Sequence, residues 1–274
     1  MAKTYYIDKI SNTSADTLLA IGFALVLQEV LRKCQKPQKG IFIFDAGSYY
    51  EVQIPTTITE NDLQQLSPFT LIKPIVTEKS LQKQGKDQNG FDYQDQQEIA
   101  RHFYERLKKL PAKLRTPEAR LSSEFRQLPD IQPPDPELVH YQTINQMKIA
   151  SSLNELALRW RRSDTLQRDA VRILLTLFEQ PGNNVDAAIA TWQKLAREHK
   201  LTGKEGKDST TQLQIVNPTT GKGSNRSKSS TLAEGNPDNF WLLELLKFQG
   251  FLHAAAPYVI QGSKDRKTYV LNQR

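Results

Sequence analysis

The chain has 274 residues, one cysteine and a net charge of +7. That length suffices for one large domain or two small ones with a real buried core. A single cysteine excludes a disulfide framework and a cysteine-rich zinc site. Hydrophobic residues make up 38%, and about 43% once the 13 glycines are added, against a globular norm of roughly 45–50%. An elongated or partner-dependent protein with much polar surface is expected. The charge is uneven. Residues 1–100 carry 10 Lys and Arg against 12 Asp and Glu, whereas residues 101–274 carry 27 against 18. A basic half beside a near-neutral half suggests a polyanionic partner; charge held for solubility is the competing account. The opening Met-Ala-Lys-Thr-Tyr-Tyr has no apolar signal region, and no run approaches the ~18 apolar residues of a membrane span. A cytoplasmic protein with no membrane partner is expected.

In chain order, the first element is a helix over residues 15–33. Leu19, Phe23, Val26 and Val30 recur at helical spacing, and Ser14 or Asp16 can cap it. Ile41-Phe-Ile-Phe44 and Tyr49-Tyr-Glu-Val-Gln-Ile54 read as strands, with hairpin chemistry in Asp45-Ala-Gly-Ser48 between them. Leu71 to Val76 reads as an edge strand interrupted by Pro74. Residues 80–92 read as an exposed loop, and Gln94 to Lys109 as a helix with Ile99, Phe103 and Leu107 spaced by four.

Prolines at 111, 117, 129, 133, 134 and 136 leave no room for a regular element, so residues 111–137 read as an extended segment. Residues 138–199 read as three helical pieces, the second ending at Pro181-Gly182 and the third capped by Asn184, assembled as a three-helix bundle. Residues 200–238 turn to Gly, Ser, Thr, Lys and Asn. A short helix follows from Asp238, ended by Gly250. Tyr258-Val-Ile260 and Thr268-Tyr-Val-Leu271 then flank a basic hairpin tip, Gln261 to Lys267. The fold class expected is α+β, with a small antiparallel sheet and helices at the N-terminus, a helical middle, and a C-terminal helix plus basic hairpin. The domains expected are 1–110, 111–137, 138–200 and 201–274.

The chemistry concentrates in Asn217-Pro-Thr-Thr-Gly-Lys-Gly-Ser-Asn-Arg-Ser-Lys228. A Walker loop needs glycine five residues before the glycine of Gly-Lys, and Ser or Thr after the lysine. Val216 and Gly223 occupy those places, so nucleotide hydrolysis is disfavoured. The stretch still suits nucleic acid. Gly221 and Gly223 let backbone N–H groups approach a phosphate, while Lys222, Arg226 and Lys228 supply charge. Asn217 and Asn225 offer paired donor and acceptor groups that can read a base edge. A disordered basic loop is the bland alternative.

Lys264, Arg266 and Lys267 at the hairpin tip form a second candidate contact, of the kind that positions a protein on phosphates without reading sequence. Arg159, Arg161, Arg162, Arg168 and Arg172 form a third, weighed against a solvated face paired with Asp164 and Asp169. His102, His140, His199 and His253 lie far apart in sequence, and no metal-ligand or catalytic spacing appears. No catalytic residue, metal or cofactor is expected.

Several stretches together resemble one family. They are Asn12-Thr-Ser-Ala-Asp-Thr-Leu-Leu-Ala-Ile-Gly22, Asp45-Ala-Gly-Ser-Tyr-Tyr-Glu51, Asn217-Pro with Gly221 to Lys228, Phe240-Trp-Leu-Leu-Glu244, and Gly262-Ser-Lys-Asp-Arg-Lys-Thr-Tyr-Val270. They look like the large subunit, the Cas-eight family, of type I CRISPR surveillance complexes (Cascade). The flavour is type I-B, including the transposon-associated forms. The resemblance touches both ends of the chain and is weak between residues 80 and 200; such subunits are usually longer than this chain.

It implies a non-enzymatic subunit at the guide RNA's 5′ end that reads the motif beside a double-stranded DNA target, while guide pairing reads the sequence. The implied partners are guide RNA, target DNA, the backbone and guide-end-capping subunits and, in transposon-associated forms, a target-selection protein. A winged-helix transcriptional regulator is the alternative, and a phosphohydrolase or nuclease the distant one.

Overall fold

The computed structural model describes residues 2–76, 90–116, 118, 122, 125, 132–147, 149–213, 215, 238–259 and 266–270. The fold is mixed α+β, as the sequence predicts. It divides into two compact units, Met1–Pro74 with Thr143–Arg274, and Ile75–Gln142.

The first unit is organised around a three-stranded antiparallel sheet. Lys3–Asp8 (β1), Phe42–Asp45 (β2) and Tyr49–Ile54 (β3) run in the order β1-β3-β2. Alternation turns Tyr5, Ile7, Tyr50, Val52 and Ile54 inward, where they are buried. The hairpin between β2 and β3 is the one expected. Gly47 takes φ +85° at its tip and donates its N–H to Asp45 Oδ1 at 2.9 Å.

Ser14–Lys33 (α1) covers the inner face. Its N-cap is Thr13, whose hydroxyl accepts the Ala15 N–H, rather than the expected Ser14 or Asp16. Against the expectation of no span-like run, α1 is long and apolar enough to cross a membrane, with an 18-residue window of mean hydropathy 1.5. Here it is a core helix, and Leu18, Phe23, Val26, Leu27 and Val30 are buried.

α1 also lies against Trp241–Ala254 (α9), so the first and last helices among the described residues pack together. Two glycines make that possible. A Cβ on Gly22 would lie 1.8 Å from the Leu246 carbonyl oxygen, and one on Gly250 2.1 Å from that of Leu18. Gly250 was expected to end a helix. The helix instead runs through it to Ala254, because this glycine serves the backbone contact.

Glu60–Gln65 (α2) opens on a capping box between Thr59 and Asp62. In place of three helices bundled on one another stand Leu138–Met147 (α4), whose residues up to Gln142 belong to the second unit, Ala150–Arg162 (α5), Gln167–Leu177 (α6) and Val185–Glu198 (α7). Asn184 caps α7 as expected, accepting the Ala187 N–H. These helices pack on what surrounds them. Trp160 of α5 meets Phe69 edge-on at 5.3 Å and donates its indole N–H to the Phe69 carbonyl at 2.7 Å. Trp192 of α7 meets Trp241 of α9 in the same way at 5.3 Å.

Asp8 closes the turn between α6 and α7. Its carboxylate accepts the N–H groups of Gly182 and Asn183, and Asn183 Nδ2 donates to the carbonyls of Tyr6 and Leu177. Lys204–Lys207 (α8), Thr210–Thr211 (β4), Asn239–Phe240 (β5), Ala255–Val259 (β6) and Arg266–Val270 (β7) complete the unit.

The second unit carries Tyr93–Lys109 (α3), capped by Asp92. Phe103 and Leu107 of α3 pack with Phe125. Phe91 stacks on Tyr141 at 4.0 Å. The expected edge strand over Leu71–Val76 is not formed. Pro74 lacks a ladder donor, and only Ile75 bridges, in parallel, to Phe91.

Candidate nucleic-acid interface

The two basic stretches picked out in the sequence lie on either side of α9. That helix is buried all round: Trp241, Leu242, Leu245, Leu246, Phe248 and Phe251 are covered, Lys247 is half-buried, and His253 is exposed. No continuous face of α9 is open to a groove, which weighs against its use as a recognition helix of the winged-helix kind.

The upstream stretch, with Asn217, Gly221, Lys222, Gly223, Asn225, Arg226 and Lys228, lies outside the described residues, as does Lys264 downstream. Arg266 and Lys267 do not sit in the hairpin turn. Their backbones are the first of β7, with Val259 opposite Arg266 and Tyr258 opposite Lys267. The second strand thus starts two residues before the expected Thr268.

What the structure does describe is the foot of the upstream stretch. β4 and β5 pair antiparallel, Thr210 with Phe240 and Thr211 with Asn239, so the chain that leaves at residue 212 returns at residue 238. Trp241 N–H donates to the Ser209 carbonyl at 3.2 Å, which ties α9 to the same point.

Arg159 of α5 holds the outgoing strand. It is 3% exposed, and its Nη1 donates to the carbonyls of Asp208 at 3.2 Å and Thr210 at 3.5 Å. Glu155, one turn earlier, pairs with Arg159 at 2.9 Å and with Lys204 at 2.9 Å. The candidate arginine face is therefore partly spent on structure, and at Arg172 the competing account of pairing with Asp169 holds. Arg159 is buried in this clamp, and Arg172 forms a bidentate pair with Glu60 while also contacting Asp169.

Glu244 of α9 holds the returning strand. Its Oε1 accepts from Asn239 Nδ2 at 2.9 Å and from Lys247 Nζ at 2.7 Å, while Oε2 is buried without a partner. Sequence reasoning assigned Glu155 and Glu244 no role. The signal for Glu244 was present: one acid inside Trp241-Leu-Leu-Glu-Leu-Leu246 needs a buried partner.

Burial pushes the Glu244 carboxyl above its ordinary range, against the opposing pull of Lys247 and Asn239. A raised folded-state pKa gives stability that is present below the unfolded value and lost as pH rises through the folded one. Glu244→Gln removes that loss and keeps an acceptor for Asn239. The variant should melt above the parent at pH 8, with the gap closing toward pH 4.5. A variant that melts lower at pH 8 would show that the pair with Lys247 outweighs burial.

Among the described residues, no three His, Cys, Asp or Glu side chains gather as a metal site requires. His102, His140, His199 and His253 stand on separate helices or their ends. Compared with known protein families, curated proteins and solved structures, the chain has no match.

Proposed function

We propose that this chain is a non-enzymatic subunit that holds nucleic acid inside a larger assembly. The assembly is an RNA-guided DNA surveillance complex of the type I CRISPR kind, as the resemblance implies. The chain contacts the guide's 5′ end and the motif beside the target duplex. The observation that supports this is the mounting of the basic stretches. One is joined to the β4–β5 clamp at the head of a buried helix, and the other follows β6 beyond the helix's far end.

α9, about 20 Å long at about 1.5 Å per residue, lies between them in the chain, and β6 carries the second stretch on from its end. Lys222, Arg226 and Lys228 stand upstream, and Lys264, Arg266 and Lys267 downstream. Rigid mounting matters because contacts to phosphate fix register, and only a loop held in register can read a base edge.

The test is target binding by the assembled complex across a library of flanking motifs, with the copurifying RNA and proteins identified. Guide RNA and partner subunits are expected to come with the chain. Asn225→Ala should cost about 1–3 kcal/mol of base discrimination, as for a lost bidentate contact. Replacing Gly223 by a bulky residue should block close approach. If both variants keep the parent's motif ranking and affinity, and the guide is still retained, the stretch only links two elements and the proposal fails. A chain that purifies without RNA and binds one duplex alone is instead a transcriptional regulator.

A further inference from the structure

The helix of the second unit, α3, has a buried side and an open one. It buries Tyr93, Phe103 and Leu107, and the last two pack with Phe125. Arg101, Tyr104, Glu105 and Lys108 stand at i, i+3, i+4 and i+7, so they share one face, and all four are exposed. Arg106 and Lys109 are exposed beside them. From residue 101 to 109 there are four Lys and Arg against one acid, so the face attracts an anion.

Among the described residues none of these charged groups makes an ion pair. Other helices pair their exposed ions within a turn: Arg32 with Glu29, Arg172 with Asp169 and Lys194 with Glu198. Cations in a last turn also suit a helix's negative end. That accounts for Arg106, Lys108 and Lys109, but not for Arg101 two turns earlier, nor for the tyrosine. Tyr104 is 51% exposed, the one large apolar side chain that α3 shows to solvent among the described residues. Its ring meets Phe103 edge-on at 5.3 Å, which anchors it to the core beneath.

We propose that this face of α3 binds single-stranded RNA. A base stacks on Tyr104, Arg101 and Lys108 take the phosphates on either side of it, and Glu105 accepts a ribose 2′-hydroxyl. A ring anchored to the core and open to solvent suits the face of an unpaired base, which a duplex hides. Cations before and after that ring, about 10 Å apart along the helix at about 1.5 Å per residue, suit a backbone charged at every nucleotide. The unpaired carboxylate among them suits a hydroxyl donor, which RNA has and DNA lacks. α3 belongs to the second unit, and its face shares no residue with the candidate interface. Its binding is therefore separable from that of the two basic stretches.

The test uses the full chain with Lys222, Arg226, Lys228, Lys264, Arg266 and Lys267 replaced by alanine, which silences those stretches. The probes are fluorescent decauridylate and the deoxyuridine decamer, followed by anisotropy. The RNA decamer should bind about tenfold more tightly than its deoxy counterpart, as for one hydrogen bond to a charged group. Glu105→Ala should bring the two together. Tyr104→Ser should weaken both about tenfold, as for one lost base stack, while Tyr104→Phe keeps the affinity. Replacing Arg101 and Lys108 by alanine should weaken both and flatten the salt dependence. A 5-iodouridine decamer should crosslink at Tyr104. All the replaced groups on α3 are exposed, and unchanged circular dichroism will show that the variants are folded.

Three results would each overturn the proposal. The first is equal or absent binding of the two decamers. The second is a Tyr104→Ser variant that binds both as the parent does. The third is an oligoglutamate that displaces the RNA decamer and binds through Arg101 and Lys108 as tightly as the decamer does, which would make the occupant an acidic protein segment.

Discussion

Gly22→Ala is expected to lower the unfolding temperature by roughly 10 °C, from a loss of about 3 kcal/mol. The added Cβ would meet the Leu246 carbonyl oxygen at 1.8 Å, its carbon at 2.6 Å and its Cα at 3.0 Å. All three are backbone atoms of a buried helix, so no rotamer change relieves the contact. α1 and α9 must separate, and every side chain packed along the seam loses part of its van der Waals well. Opposing this, alanine exceeds glycine in helix propensity by about 1 kcal/mol, so an isolated α1 would be stabilised by the same change. The sign of the measured shift therefore reports the crossing itself. Gly250→Ala should behave alike, since its Cβ would lie 2.1 Å from the Leu18 carbonyl oxygen. Thermal unfolding followed by circular dichroism decides it. A variant as stable as the parent would mean that the two helices do not touch at these glycines.

The second large effect is on salt dependence. Six basic groups, Lys222, Arg226, Lys228, Lys264, Arg266 and Lys267, are proposed to meet phosphates. Each contact with duplex DNA contributes about −0.9 to the slope of log affinity against log salt, so six give about −5. Raising salt from about 50 to 200 mM should then weaken binding about a thousandfold. Replacing Lys264, Arg266 and Lys267 by alanine should reduce the slope by about 3 and lower affinity on all sequences alike. Asn225→Ala should leave the slope unchanged. A parent slope near zero, or a triple variant that weakens one sequence only, contradicts electrostatic holding.

Much of the fold follows from local pattern. The α1 stripe, the Asp45–Ser48 turn and the Asn184 cap are short-range features, and each is observed where the spacing put it. What escaped depends on distant partners. β1 has only six residues, and its alternation of Tyr5 and Ile7 becomes meaningful once β3 lies beside it. Gly250 of α9 looks like a terminator in sequence, because nothing local reveals Leu18 of α1 behind it. The middle helices showed their apolar stripes plainly, yet the stripes do not say which surface they meet. Trp160 found Phe69, and Trp192 found Trp241. At the candidate interface, charge and glycine marked the two basic stretches, whereas the Arg159 clamp stayed hidden because an arginine on a helix reads as solvated until its carbonyl partners are known.

The union of α1 with α9 also bears on how the protein is made. About 200 residues separate the two helices, and at roughly 5–20 residues per second the ribosome needs on the order of 10–40 seconds to add them. Throughout that interval a helix long and apolar enough to cross a membrane has left the exit tunnel without its mate. Its mean hydropathy of 1.5 over 18 residues makes the nascent chain attractive to chaperones, to neighbouring polysomes and to lipid. Synthesis that stalls or terminates before Trp241 releases a polypeptide whose leading helix has nowhere to go. Full-length yield should therefore depend on holdase capacity during translation more than on the stability of the finished product.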